Sequence, residues 1–195
     1  IEVLKELGVE SERPVRGELR LEEFLASKKL SRETAERWGL YEGRANAGDG
    51  TELRCVVMPY HKIGMSEELY RKRRFSGFPK FDLVGKNGPA VPYAPKDFPQ
   101  IPTGILFLCE GESDALALSE AGYQSLGIGG ANGVGSAWKS MPDLSRLEEI
   151  RICVDDDDAG LDFATEIARR LAARGSGFEG GVALGRRLEL LTDLR

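Results

Sequence analysis

The chain has 195 residues, a net charge of −5, 41% hydrophobic and 30% charged side chains. That length fits one domain of ordinary size, or one domain plus a small appendage, and the hydrophobic fraction is ordinary. No apolar run approaches the ~20 residues of a membrane span, so no membrane partner is expected.

No signal peptide is visible, and the first residue is Ile, so the chain reads as a piece of a longer protein. Cys55, Cys109 and Cys153 lie far apart, each in a predicted strand, and no pair has metal-ligand spacing. With a lone His61 beside them, buried reduced thiols are expected, not a zinc site or a disulfide, and the expected compartment is the cytoplasm. The net charge hides an asymmetry. Residues 51–100 carry 9 basic and 5 acidic side chains, whereas residues 101–150 carry 2 and 7. A basic segment followed by an acidic one suits a protein that holds a polyanion with one part and cations with the other.

In chain order, residues 1–8 read as the end of a preceding helix and residues 9–20, with Pro14 and Gly17, as a linker. Residues 21–30 have helical composition, with Leu21, Phe24 and Leu25 apolar. Ser31 is placed as the N-cap of a second short helix ended by Gly39, with Trp38 in the core. Residues 53–58 read as a strand followed by a turn at 59–64. Residues 69–75 place the basic run Arg71-Lys72-Arg73-Arg74 between aromatics, and a proline-rich extended connector fills 84–104. The segment 51–100 is expected to be a small, twisted, mostly antiparallel unit.

From Ile105 the pattern becomes strand, helix, strand. Residues 105–110 form a buried strand, 113–121 a helix, 123–126 a strand, 127–135 a glycine-rich loop, 150–154 a strand and 161–174 an amphipathic helix. A flexible loop is expected over 175–185 and a fourth strand at 188–191.

Two apolar runs end abruptly in carboxylates, at Glu110-Gly111-Glu112-Ser113-Asp114 and at Asp155-Asp156-Asp157-Asp158-Ala159-Gly160. Residues just past the carboxyl ends of buried parallel strands meet at one edge of the sheet. Asp155 and Asp157, alternate in an extended segment, can share a face and bind a hard divalent cation through oxygen. The alternative is a solvated acidic loop that caps the next helix. Glu110 ends its strand, and Asp114 lies one helical turn beyond it, facing the same cleft; Glu112 and Ser113 read as ordinary first-turn residues. An EF-hand loop starting at Asp155 fails on Ala159 and on the preceding strand. The loop from Gly127 to Gly133, with Gly130 and Asn132, either offers backbone N–H groups to phosphates or is a plain turn. Arg71-Lys72-Arg73-Arg74, with Tyr70, Phe75 and Lys80, form either a phosphate-binding strip or a solvated edge strand guarded by charge.

These residues resemble a known family. Leu108-Cys109-Glu110-Gly111-Glu112-Ser113-Asp114-Ala115, followed by Val154-Asp155-Asp156-Asp157-Asp158-Ala159-Gly160, is similar to a TOPRIM domain, the module shared by DnaG-type primases, topoisomerases and some nucleases. Residues 30–40, Met58-Pro59-Tyr60, Tyr70-Arg71-Lys72-Arg73 and Pro79-Lys80-Phe81 resemble the helical lead-in and basic subdomain of phage or plasmid primases and primase–helicases.

The resemblance implies an α/β fold, a Rossmann-like parallel sheet flanked by helices and preceded by a small basic α+β subdomain. The expected division is 1–20 as preceding segment and linker, 21–104 as lead-in and basic subdomain, and 105–195 as the TOPRIM domain, truncated at its C-terminus. It also implies Mg²⁺ or Mn²⁺ on Asp155 and Asp157, with Glu110 as acid/base or shared ligand and Asp114 as a further acid near the metals. Arg71, Arg73 and Lys80 then handle template or nucleotide. The implied activity is primer synthesis on single-stranded DNA from nucleoside triphosphates, beside a replicative helicase in the same chain or a separate one. No N-terminal zinc module is present in the sequence, and only Asp193 stands where a further acidic motif would be. A TOPRIM nuclease and a non-catalytic DNA-binding portion of a helicase are the competing expectations.

Overall fold

The computed structural model describes residues 16–46, 51–65, 67–85, 89–173 and 181–183. The expected helix at 1–8, the expected strand at 188–191 and Asp193 lie outside the described residues. The described end of the expected linker is docked, not loose: Gly17 N–H donates to the Ser76 carbonyl and Leu19 N–H to that of Arg54.

Helices α1 (Leu21–Lys28) and α2 (Arg32–Trp38) form the lead-in. Ser31 caps α2 as its side-chain chemistry predicts, accepting from the Thr34 N–H, and Gly39 closes it at φ 71°. Four strands follow as an antiparallel meander: β1 (Tyr41–Asn46), β2 (Glu52–His61), β3 (Glu68–Arg74) and β4 (Phe81–Val84). The expected turn at Pro59 is instead strand. Pro59 pairs with Arg71 of β3 at a point beyond Tyr41, the first residue of β1, so no third strand demands the N–H that proline lacks. The connector that follows touches the second sheet where Tyr93 pairs with Gly127.

The second sheet is wholly parallel, in the order β6-β5-β7-β8. Its strands are β5 (Gly104–Cys109), β6 (Gln124–Gly127), β7 (Leu147–Cys153) and β8 (Gly181–Ala183). The expected α/β class with a parallel sheet between helices is what the chain forms. β8 falls inside the segment expected to be a loop.

Helix α3 (Glu112–Glu120) links β5 to β6. Helix α4 (Ala131–Ala137), with a 3-10 turn at Trp138–Ser140, occupies half of the expected glycine-rich loop. Its Gly133 is needed for approach: a Cβ there would stand 2.7 Å from the Ile128 carbonyl oxygen. Helix α5 (Asp158–Ala173) buries Phe163, Ala164, Ile167 and Leu171. Of the face Leu161, Ala164, Ile167, Ala168 and Leu171 that the helical period predicts, Leu161 is exposed instead and Phe163 takes its place in the core.

Alternation along β5 separates the two faces. Leu106 and Leu108 join the cluster under α4 and α5, whereas Phe107 and Cys109 join a cluster shared with α1, α2, α3 and β2. One apolar cluster thus runs from Leu21 through Met58 and Tyr60 to Leu118. It packs the basic sheet against the α3 side of the parallel sheet, next to the strand ends that carry the acids.

Candidate active site

β5 and β7 are neighbours with Cys109 opposite Cys153, so the residues that follow them, Glu110 and Asp155, emerge side by side. The Glu110 N–H donates to the Cys153 carbonyl at 3.2 Å. The N–H groups of Gly129 and Gly130 both donate to the Glu110 carbonyl at 3.0 Å. The glycine loop therefore spends these two N–H groups on fixing Glu110, and Gly130 serves the site that way; Asn132, in the first turn of α4, is exposed. Both Cys109 and Cys55 are buried free thiols, as expected, and Cys153 is half-buried.

The Glu110 side chain is half-buried. Its Oε2 is buried without a hydrogen-bond partner. Burial pushes its carboxyl up from the ordinary value, and the charges of Asp155 and Asp157 push it further; the Asp155 backbone N–H, bonded to the carboxylate, opposes them, and Asp114 adds a smaller upward push. Asp155, Asp157 and Asp114 therefore all act on Glu110 at one sheet edge.

Asp157 has a second task. Its Oδ1 accepts from the Gly160 N–H at 2.8 Å, so it caps α5, which begins at Asp158, three residues before the expected start. The capping role weighed for the acidic loop thus belongs to Asp157. Gly160 is fully committed: a Cβ there would lie 2.1 Å from the Asp155 carbonyl oxygen. In an exposed helix interior Gly→Ala stabilises by roughly 1 kcal/mol. At this position Gly160→Ala is expected to destabilise by about 1–3 kcal/mol, because backbone must move, and to displace Asp155. Thermal melts and a Mn²⁺ titration check this; an unchanged or raised melting temperature would refute the close approach.

Among the described residues no group of three or more His, Cys, Asp or Glu side chains is placed to hold a metal ion. The donor chemistry nonetheless suits a hard cation. A buried carboxylate oxygen lacks a partner, and neighbouring carboxylates repel it. A divalent ion with oxygen preference offsets both costs. Glu110 and Asp155, with Asp157 and Asp114 beside them, are the residues that fit it.

The basic run divides across the two faces of β3. Arg71 and Arg73 lie on the face away from α3. Arg71 pairs with Glu68 at 2.6 Å and donates to the Tyr41 hydroxyl; Arg73 pairs with Asp82 at 2.9 Å. Lys72 and Arg74 lie on the face towards α3. Lys72 Nζ donates to Glu112 at 2.7 Å and Arg74 Nη1 to Ser113 Oγ at 2.9 Å. Burial lowers the Arg74 pKa from its ordinary value, with Glu112 opposing. Lys80 is exposed at the start of β4. One continuous strip is thus not what the strand presents: only Lys72 and Arg74 turn towards the helix that begins beside Glu110.

The sequence placed Lys72 in the basic strip, but the division of that strip over two strand faces, which alternation signals, was not read from it. Sequence reasoning also missed Glu112, read as an ordinary first-turn residue. That side chain is 6% exposed and receives the Tyr60 hydroxyl as well as Lys72.

Residues 107–181 match the family model described as Toprim-like. No curated protein matches the chain. The match runs from the second half of β5 to the first residue of β8, includes Glu110, Asp114 and the Asp155–Asp158 run, and places a Toprim-like domain on the parallel sheet. Domains of this kind belong to metal-dependent enzymes that act on nucleic acids, and they typically bind Mg²⁺. No helix among the described residues is long and apolar enough to cross a membrane.

Proposed function

We propose that the chain is the catalytic core of a DNA primase, making short oligonucleotides on single-stranded DNA from nucleoside triphosphates. The observation that carries this reading is the join between the two sheets. Lys72 and Arg74 of the basic sheet are tied to Glu112 and Ser113, in the first turn of α3, directly after Glu110. The basic sheet is therefore anchored to the helix turn that starts two residues after Glu110, which supports a site combining cations with carboxylates. A nuclease needs the carboxylates; a basic sheet anchored beside them suits a site that must also hold a triphosphate.

In this reading Asp155 and Asp157 hold Mg²⁺ or Mn²⁺, and Glu110 shares it or accepts the proton of the primer 3′-hydroxyl. Asp114 adds negative charge at the rim. The bound ion supplies Lewis acidity for the charge that develops on the attacking and leaving oxygens. The 3′-hydroxyl attacks the α-phosphate of the incoming nucleotide, and pyrophosphate leaves. Lys72, Arg74 and the exposed Lys80 orient the phosphates. Residues 105–195 form the catalytic domain and 21–104 the lead-in and basic subdomain, with a replicative helicase as the natural neighbour in the cell.

The test is one gel with the purified chain, end-labelled single-stranded DNA, separately labelled nucleotides and Mg²⁺ or Mn²⁺. New short labelled oligonucleotides are the expected result. Shortening of the DNA without them would replace the primase by a nuclease.

A further inference from the structure

Glu112 is an acid buried where a hydrophobic residue would pack as well. Around its partner Tyr60 lie Tyr70, stacked at 4.5 Å between ring centroids, and Tyr93 at 4.9 Å. Buried ion pairs contribute little net stability compared with well-packed apolar replacements, so this one calls for another explanation. Its geometry supplies one. Glu112 belongs to the turn that follows Glu110, while its two side-chain partners, Tyr60 and Lys72, come from β2 and β3. The Lys72 ammonium is held at 2.7 Å by one carboxylate oxygen and lies 4.1 Å from the Phe81 ring centroid. Its side chain keeps 18% exposure, and an ammonium has three donors, so the pair leaves donors for a ligand. A free lysine would instead sample many rotamers and lose that freedom on binding.

We infer that Glu112 is a positioning residue: it holds Lys72 at the first turn of α3, which begins two residues after Glu110, so that a phosphate group reaching that turn meets a cation already in position. The inference rests on the functional reading above, and the ligand chemistry it names is a phosphate ester, from either a nucleoside triphosphate or a DNA strand.

The test uses two probes, a fluorescent GTP analogue with Mg²⁺ and a fluorescein-labelled oligo-dT strand. Affinities are measured for wild type, Glu112→Gln, Lys72→Met and the double variant, with a thermal melt of each. Glu112→Gln keeps the shape and the acceptor for Tyr60. If Glu112 acted only through its charge, removing it would strengthen binding of a polyanion. Positioning demands the opposite sign: a loss of about tenfold for one of the probes, and the affected probe identifies the source of the phosphate. The double variant should bind like Lys72→Met alone, because Glu112 acts through Lys72. Glu112→Asp, which keeps the charge but shortens the reach, should also lose affinity and serves if Glu112→Gln melts early. Unchanged or tighter binding of both probes, or additive losses in the double variant, would overturn the positioning role and leave the functional reading standing. A wild type that binds neither probe would overturn both.

Discussion

Asp155→Asn is expected to cut metal-dependent nucleotide incorporation by at least about a hundredfold while the protein stays folded. Loss of a group that merely supports a metal ligand costs 10–100-fold in comparable sites, so loss of a ligand itself costs no less. The substitution spares the structure for a specific reason. Asp155 reaches Glu110 through its backbone N–H, which asparagine keeps, and its side chain is exposed. It should even relieve strain. Glu110 is held above the ordinary carboxyl range first by burial and next by the charge of Asp155, so neutralising Asp155 removes a repulsion. The combined signature is a melting temperature without metal that equals or exceeds wild type, no further rise on adding Mg²⁺ or Mn²⁺, and lost synthesis. Wild type should gain stability from the ion, since a ligand that binds only the folded state stabilises it. A variant that keeps both its activity and its metal-induced rise would remove Asp155 from the site.

Much of this site could be read from the chain because its two halves announce themselves locally. Glu110 follows an unbroken apolar run and Asp155 one interrupted only by Arg151, and neighbouring parallel strands bring such ends together without further information. Ser31 and Gly39 bounded α2 by chemistry that acts within four residues. What was hidden has little local signature. β1 is an edge strand in which only Ala45 is buried, so no alternation of apolar side chains marks it. α4 carries two glycines because neighbouring groups approach it closely, and composition alone makes it look like a loop. Pro59 sits in a strand only because β1 ends early. The Lys72–Glu112 pair joins residues 40 positions apart, and neither member is unusual in its own neighbourhood. Long-range partnership decides such residues, and one sequence does not display it.

That partnership depends on the packing behind it, which leads to Trp38→Ala, the substitution with the largest expected effect on stability. Trp38 closes α2 with no exposed surface. Its Nε1 donates to Ser119 Oγ on α3 at 2.8 Å, and its ring lies 4.8 Å from that of Tyr93. Tyr93 in turn touches Tyr60, and Tyr60 both stacks on Tyr70 and donates to Glu112. One row of aromatic rings thus connects the lead-in helices to the clasp between the two sheets. Truncating a buried tryptophan costs about 3–5 kcal/mol, the lost transfer energy plus the cavity left behind. Against a total of about 5–15 kcal/mol this is a large share, and at roughly 2–4 °C per kcal/mol the melting temperature should fall by about 6–20 °C. Trp38→Phe keeps most of the ring but loses the hydrogen bond to Ser119, and should cost about 1 kcal/mol for that bond plus a smaller packing loss. The functional consequence separates the two sheets. Glu110 is fixed by backbone bonds from Gly129 and Gly130 and by its own to Cys153, none of which involves the aromatic row. Below its melting temperature Trp38→Ala should therefore hold Mn²⁺ almost as wild type does, yet bind single-stranded DNA more weakly because the basic sheet has lost its backing. A fall in Mn²⁺ affinity equal to the fall in DNA affinity would show that the metal site and the basic sheet loosen as one body.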